Sequence, residues 1–222
     1  AITGTGLAAP FTFKGGSYPG TGGNCSGALA PAASCTLVVT YAPTATGFHS
    51  DTIQIDYNDG LIAKSALRDV QGTGVSAALL VISNGPLFDF GTRGVGSDND
   101  HTFTIENTGG FLAASMSGTG LAAPFTFKGA GYPGTGGTCG ASLAAAATCT
   151  IVVTYAPTAT GVHNDTFDIN YDNGAASVTS SRDVQGTGAN LAFLAISNGP
   201  TFDFGTKAIG STAEQTFTVN NT

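Results

Sequence analysis

Charge is what this sequence has least of. Only 9% of its 222 residues are Asp, Glu, Lys or Arg, against the usual quarter, and Gly, Ala, Ser and Thr take their place. Seven basic side chains against 14 acidic ones leave a net charge of −7. Nucleic acid, whose binding needs a basic patch to displace counterions, is therefore excluded as a partner. No polybasic or amphipathic stretch points to a membrane surface. No apolar run approaches the length that spans a bilayer, so this segment is not expected to insert. No convincing helical period occurs anywhere. No phosphate loop is present either: clusters such as Gly20-Thr21-Gly22-Gly23 have no following Lys-Ser/Thr and no helix to receive an anion. The opening residues carry no export leader, which says nothing about export because the chain starts inside a repeat.

What the sequence has in abundance is itself. Residues 1–108 laid on 115–222 match at 67 positions. The run Gly4-Thr5-Gly6-Leu7-Ala8-Ala9-Pro10-Phe11-Thr12-Phe13-Lys14 returns as Gly118 to Lys128. A repeat this close to identical fits an array in which each copy does one mechanical job. An active site needs a single good copy.

Hydrophobic residues make up 41% of the chain, enough for a globular core, and they alternate with period two as half-buried strands do. Phe103 and Ile105 share one face, with Thr102 and Thr104 on the other. Cys149, Ile151, Val153 and Tyr155 form the strongest such face. Phe167, Ile169 and Tyr171 alternate with Thr166, Asp168 and Asn170, and Asp172-Asn173-Gly174 then signals a hairpin. About seven short strands per repeat predict an all-β chain of tandem Ig-like antiparallel sandwiches. The expected division is a partial module over 1–76 without its first strands, a complete one over 77–189, and the first strands of another over 190–222. The two fragments are complementary parts of one module. An arbitrary cut through a long array explains that; so does a chain whose tail completes the head of the next.

Four cysteines form two copies of one pair, Cys25 with Cys35 and Cys139 with Cys149. The spacing fits neither a C-x-x-C redox motif nor a four-ligand zinc site. A local disulfide in each copy is the expected arrangement, implying an oxidising compartment; buried free thiols are the alternative.

The order Phe88-Asp89-Phe90-Gly91, Phe103-Thr104-Ile105-Glu106-Asn107-Thr108-Gly109, then Ala146 to Thr158 with Cys149, then Gly161 and Gly186-Thr187-Gly188, resembles the Ig-like repeats of the abnormal-spindle and hydin type. The likeness is to their bacterial extracellular branch, the choice-of-anchor D domains. It implies a seven-stranded sandwich related to the major-sperm-protein and pilus-chaperone group, strung in tandem on large secreted or surface proteins. The eukaryotic branch acts in cilia and centrosomes; paired cysteines and scarce charge set this chain apart from it. The resemblance brings no catalytic residues with it.

Several residues are candidates for chemistry. His49 with Asp51, and His163 with Asp165, lie two apart on one strand face, but no repeated nucleophile accompanies them, so a polar cap is expected and not a proton shuttle. Asp56-Tyr57-Asn58-Asp59-Gly60 resembles a calcium loop, yet its copy Asn170 to Gly174 loses a carboxylate, and Asp98-Asn99-Asp100 becomes Thr212-Ala213-Glu214. Thr102 and Thr104, like Thr216 and Thr218, offer a hydroxyl rung too short for an ice-binding face. Lys14 and Lys128 follow Phe-x-Phe, where an isopeptide crosslink is conceivable. Asn24, Asn164 and Asn220 head glycosylation triplets that the other copy does not keep. The expected function is structural: an extracellular fibre or stalk of stapled modules whose partners are identical modules, joined head to tail or in one covalent array. No enzyme activity and no cofactor or metal are expected. The alternative is an adhesin recognising carbohydrate or a host surface through the loops that carry Tyr18 and Tyr132.

Overall fold

The computed structural model describes all of residues 1–222, and it holds strands and no helix. In chain order the first five strands are β1 (Thr3–Thr5), β2 (Phe11–Phe13), β3 (Val39–Tyr41), β4 (Gly47–Asn58) and β5 (Ala63–Gly74). Eight more follow: β6 (Leu80–Ile82), β7 (Leu87–Gly94), β8 (Asn99–Asn107), β9 (Ala114–Thr119), β10 (Phe125–Phe127), β11 (Thr148–Tyr155), β12 (Gly161–Asp172) and β13 (Ser177–Ala189). The short β14 (Leu194–Ile196) and β15 (Val219–Asn221) close the chain.

Strands β6 to β13 make a two-layer Ig-like sandwich. One sheet has the order β10-β11-β8-β6 and the other β7-β13-β12-β9. The alternation read from the sequence fixes which side faces in. Cys149, Ile151, Val153 and Tyr155 are buried on β11, as are Phe103 and Ile105 on β8 and Phe167, Ile169 and Tyr171 on β12. Thr102 and Thr104 point outward. The core is continuous from Ala78 to Val184 and draws nothing from outside that span. Its centre is aromatic: Phe103 meets Phe167 edge-on at 5.1 Å, and Phe125 stacks on Tyr155 at 4.7 Å between centroids. Burying a ring of this size contributes about 1.5–3 kcal/mol.

Two features depart from a plain antiparallel seven-stranded sandwich. The module has eight strands, and β7 pairs with β13 in parallel. Both follow from the segment Asn84-Gly85-Pro86. Asn84 adopts a left-handed backbone with φ 61°, proline cannot continue a ladder, and the chain crosses from β6, the edge strand beside β8, to β7, the edge strand beside β13 in the other sheet. The Arg182 guanidinium pins this crossing by donating to the Ile82 carbonyl and lying over Gly85. A β-carbon on Gly85 would collide with that guanidinium.

Residues 1–75 repeat the second half of this architecture. Strand β1 pairs with β4 and β4 with β5, as β9, β12 and β13 do, while β2 pairs with β3 as β10 does with β11. Residues 190–222 repeat the first half: β14 pairs with β15 as β6 pairs with β8.

Candidate functional site

The His–Asp pair is a fastener. His163 Nδ1 lies 2.8 Å from the Tyr155 hydroxyl, and Asp165 accepts from the backbone N–H groups of Ala122 at 2.7 Å and Thr166 at 2.8 Å. The head repeats each bond: Tyr41 to His49 at 2.9 Å, and Asp51 with Ala8 at 2.7 Å and Thr52 at 2.8 Å. By accepting from backbone donors on both sides, the carboxylate ties the loop before β10 to strand β12. Burial, with the Asp89 charge second, raises the Tyr155 pKa above its ordinary value. The tyrosine was the partner missing from the sequence reading. Its signal was available, since tyrosine precedes histidine by eight residues in both copies.

Both cysteine pairs are disulfides, with S–S distances of 2.00 and 1.95 Å. Cys149 sits on the core side of β11 and reaches across to Cys139 in the loop ahead of it. Such bonds belong to oxidising, non-cytoplasmic environments. No helix is long and apolar enough to cross a membrane, a statement that does not extend to membrane barrels. The loop closed by Cys139 and Cys149 spans a sequence separation of 10, so cutting it restores chain entropy worth roughly 2–3 kcal/mol. Treatment with a reductant is expected to lower the unfolding free energy of the 77–189 module by that amount, with its urea midpoint falling accordingly, and without changing its far-UV spectrum at low denaturant. A urea titration with and without reductant measures it.

The ring of Tyr132 does not stand free in its loop. It packs edge-on against Phe127 at 5.9 Å and covers Gly118, and burial pushes its pKa up to about 12. Tyr18 makes the same contact with Phe13 at 5.6 Å and covers Gly4. A β-carbon at Gly118 would meet the tyrosine ring, so this glycine makes room for the aromatic lid.

The acidic turns bind their own backbone. Asp59 accepts from Leu61 and Ile62, and Asn173 accepts from Ala175 and Ala176, the bonds spanning 2.8–2.9 Å. Backbone donation lowers the Asp59 pKa. Lys128 forms an ion pair with Asp100 at 2.7 Å, and Thr154 also donates to that carboxylate; together they lower its pKa. Being largely exposed, the pair is worth well under about 1 kcal/mol.

His101 titrates in a more sensitive place. Its ring stacks on Phe88 at 3.7 Å, and burial holds its pKa below the ordinary 6.5. A histidine depressed in the folded state binds its proton more readily when unfolded. Stability is therefore full above pH 6.5, begins to fall as pH drops below it, and levels off beneath the depressed folded value. The repeat carries Gln215 at the matching position. His101→Gln is expected to flatten the dependence of melting temperature on pH between about 7 and 5, whatever it does to the absolute temperature. Thermal unfolding followed across that range tests the slope.

The largest opening in the molecule lies in the head. It is a cavity of about 560 Å³ walled by Ile2, Tyr18, Leu29, Leu37, Ile55 and Tyr57 with the Cys25–Cys35 disulfide. The matching residues in the complete module surround the inward side chains of β6 and β8. In the tail those inward side chains lie bare. Phe217 and Val219 are 41% and 57% exposed, whereas their counterparts Phe103 and Ile105 are fully buried. Leu194, Ile196 and Phe204 are exposed as well, against buried Leu80, Ile82 and Phe90.

Pairing tells the same story. Ser34 to Tyr41 match Thr148 to Tyr155 almost residue for residue, yet only Val39–Tyr41 forms a strand, because the neighbour that β8 supplies to β11 is not beside it. Residues 201–208 match most of β7 and form no strand, since β13 already holds β7 itself. Strands β3 and β5 are left as sheet edges.

No family model matches the sequence, and no curated protein matches it. Among solved structures, the chain is similar to the ASH/PapD-like domain 7 of human CEP192, at 17% identity and a TM-score of 0.40 over 52% of this chain and 88% of that one. It is similar to the Vibrio cholerae VesB protease at 17% identity and TM-score 0.41, covering 49% of this chain and only 31% of the protease. A protein of unknown function from Porphyromonas gingivalis W83 matches at 10% identity and TM-score 0.40, over 84% and 83% of the two chains.

Proposed function

We propose that this chain is a structural segment of an extracellular or cell-surface fibre or stalk, built from disulfide-stapled Ig-like modules of the abnormal-spindle and hydin type in their bacterial branch. One observation carries the reading: the cysteines and the His–Asp pair, the kept residues best suited to chemistry, fasten the sandwich in both copies. Tyr41, His49, Asp51, Cys25 and Cys35 return as Tyr155, His163, Asp165, Cys139 and Cys149, and every one is engaged inside its own module. The partners in this reading are identical modules, and the chain is neither an enzyme nor a nucleic-acid binder. Length and stiffness then grow with copy number.

Strands of 12 and 13 residues make a module about 40 Å long. Negative-stain images of the native material are expected to show thin rods with an axial repeat of one module or a small multiple of it. Isolated compact particles without such a repeat would overturn the reading. The adhesin alternative rests on Tyr18 and Tyr132; with both rings packed on phenylalanine and glycine, no observation favours it.

A further inference from the structure

We propose that Asn84 is a self-modification site: its side-chain amide condenses with the Gly85 amide nitrogen, and the turn between the two sheets converts to aspartate and isoaspartate. The proposal stands apart from the fibre reading and requires no second molecule except water.

The complete module holds two Asn-Gly pairs, Asn84-Gly85 and Asn173-Gly174. Glycine has no β-carbon to shield its own amide nitrogen, so both pairs meet the sequence requirement for ring closure. Their surroundings differ. At the first pair the electrophile is held between two donors. Ser83 Oγ donates to Asn84 Oδ1 at 2.9 Å, and the Thr104 N–H donates to Ser83 Oγ at 2.9 Å, which turns the hydroxyl hydrogen toward the asparagine. His101 Nε2 lies 3.2 Å from Asn84 Oδ1. An acceptor there places the imidazole proton on Nε2, and stacking on Phe88 at 3.7 Å holds the ring in position. Donors aimed at the amide oxygen are equally aimed at the oxyanion it becomes.

The nucleophile of this pair is free. The Gly85 N–H has no acceptor in the protein, and Asn84 and Gly85 are both exposed. The Arg182 guanidinium lies over Gly85, and a fixed positive charge there favours the deprotonated amide that attacks. At the second pair Asn173 Oδ1 also accepts two bonds, from Ala175 and Ala176. Its nucleophile, however, is occupied. The Gly174 N–H donates to Asp172 Oδ1 at 2.7 Å, and a carboxylate disfavours loss of that proton. The Asn173 carbonyl and N–H are tied as well, to the Ala78 N–H and the Ala176 carbonyl at 3.0 Å each.

The Gly85 nitrogen bonds to Asn84 Cγ, and the negative oxygen of the tetrahedral intermediate sits between the Ser83 hydroxyl and His101 Nε2–H. The Cγ–Nδ2 bond then breaks, and the leaving nitrogen takes the proton given up by Gly85 and departs as ammonia. Water opens the resulting succinimide at either carbonyl. The sum consumes water, releases ammonia and transfers no electrons. The new carboxylate forms beside His101 and next to the residue that Arg182 covers, a cation whose Nε has no partner.

The experiment uses the full 222-residue chain, held at neutral pH and body temperature for weeks, both folded and in guanidinium chloride. Trypsin releases Asn84 between Arg68 and Arg93, and chromatography with mass spectrometry counts aspartate and isoaspartate there and at Asn173. In the folded chain Asn84 is expected to convert about tenfold faster than Asn173, or more, which is about 1.4 kcal/mol of activation free energy. In denaturant the two rates converge, because each pair then has only solvent around it. Ser83→Ala and His101→Phe, the latter keeping a ring on Phe88, are each expected to slow Asn84 severalfold and leave Asn173 unchanged. The comparison of the two asparagines in the unaltered chain decides alone if a variant fails to fold. Equal folded rates, a faster Asn173, a ratio that persists in denaturant, or folded variants that leave Asn84 as fast as before each overturns the proposal.

Discussion

Phe103→Ala is expected to lower the unfolding free energy of the central module by about 3–5 kcal/mol, and Phe217→Ala, its counterpart one repeat later, by close to nothing in the dilute chain. The two rings occupy equivalent places in nearly identical sequence, Thr-Phe-Thr followed by Ile or Val. Phe103 has no exposed surface and touches Phe88 at 5.3 Å and Phe167 at 5.1 Å, so its removal leaves a ring-sized hole between two sheets. Phe217 touches Phe202 at 5.5 Å and is otherwise open to water. A loss of this size is a large part of the 5–15 kcal/mol that holds a domain folded. The melting temperature of Phe103→Ala should drop by more than about 10 °C, and a urea titration gives the free energy directly. Equal effects for the two substitutions would mean that the tail packs into a core within the single chain, contrary to its exposure.

That comparison also shows how far the sequence could be read. Alternation placed the inward faces of β8, β11 and β12 correctly because period two has a single geometric meaning once one face is apolar. The cysteine pairing was legible because its closing loop is short and local. The sheet switch at Asn84-Gly85-Pro86 was not. A turn signal says that the chain reverses or breaks, and says nothing about which sheet receives the next strand. The parallel pairing of β7 with β13 joins residues about a hundred positions apart, Val184 beside Phe88, and no local pattern encodes it. The His163–Asp165 pair was read as a cap, and the structure adds the Tyr155 hydroxyl and the Ala122 amide to which it is tied. Tyr132 was offered as a ring for stacking on sugar. Gly118, fourteen residues earlier in the chain, is what draws that ring inward, and an absent side chain leaves no mark in a hydrophobic pattern.

Asn107 was quoted in the motif Phe-Thr-Ile-Glu-Asn-Thr-Gly without a role, and it is the one buried polar side chain of the sandwich. Its Oδ1 accepts from the N–H groups of Leu79 and Gly109, each at 3.1 Å, and its Nδ2 donates to the carbonyls of Phe111 at 2.8 Å and Leu143 at 3.1 Å. The Leu143 carbonyl also accepts from the Ala113 N–H at 3.0 Å, so three backbone groups, those of Leu79, Gly109 and Phe111, depend on this one amide. Asn107→Ala strands them at the end of the core, where each unpaired group costs about 1–3 kcal/mol and only the outer ones regain water. The expected loss is about 3–4 kcal/mol, comparable to that of a core phenylalanine. Asn107→Asp separates the two kinds of bond. A carboxylate still accepts from Leu79 and Gly109 but cannot donate, and it turns a negative oxygen toward two carbonyls. Its pKa must rise in the folded state, so the variant should regain stability as pH falls toward the carboxylate range, opposite to the trend that His101 imposes. Unfolding free energies of the alanine and aspartate variants at two pH values decide it; an aspartate variant that loses stability on acidification would show that the donor half of the network contributes little.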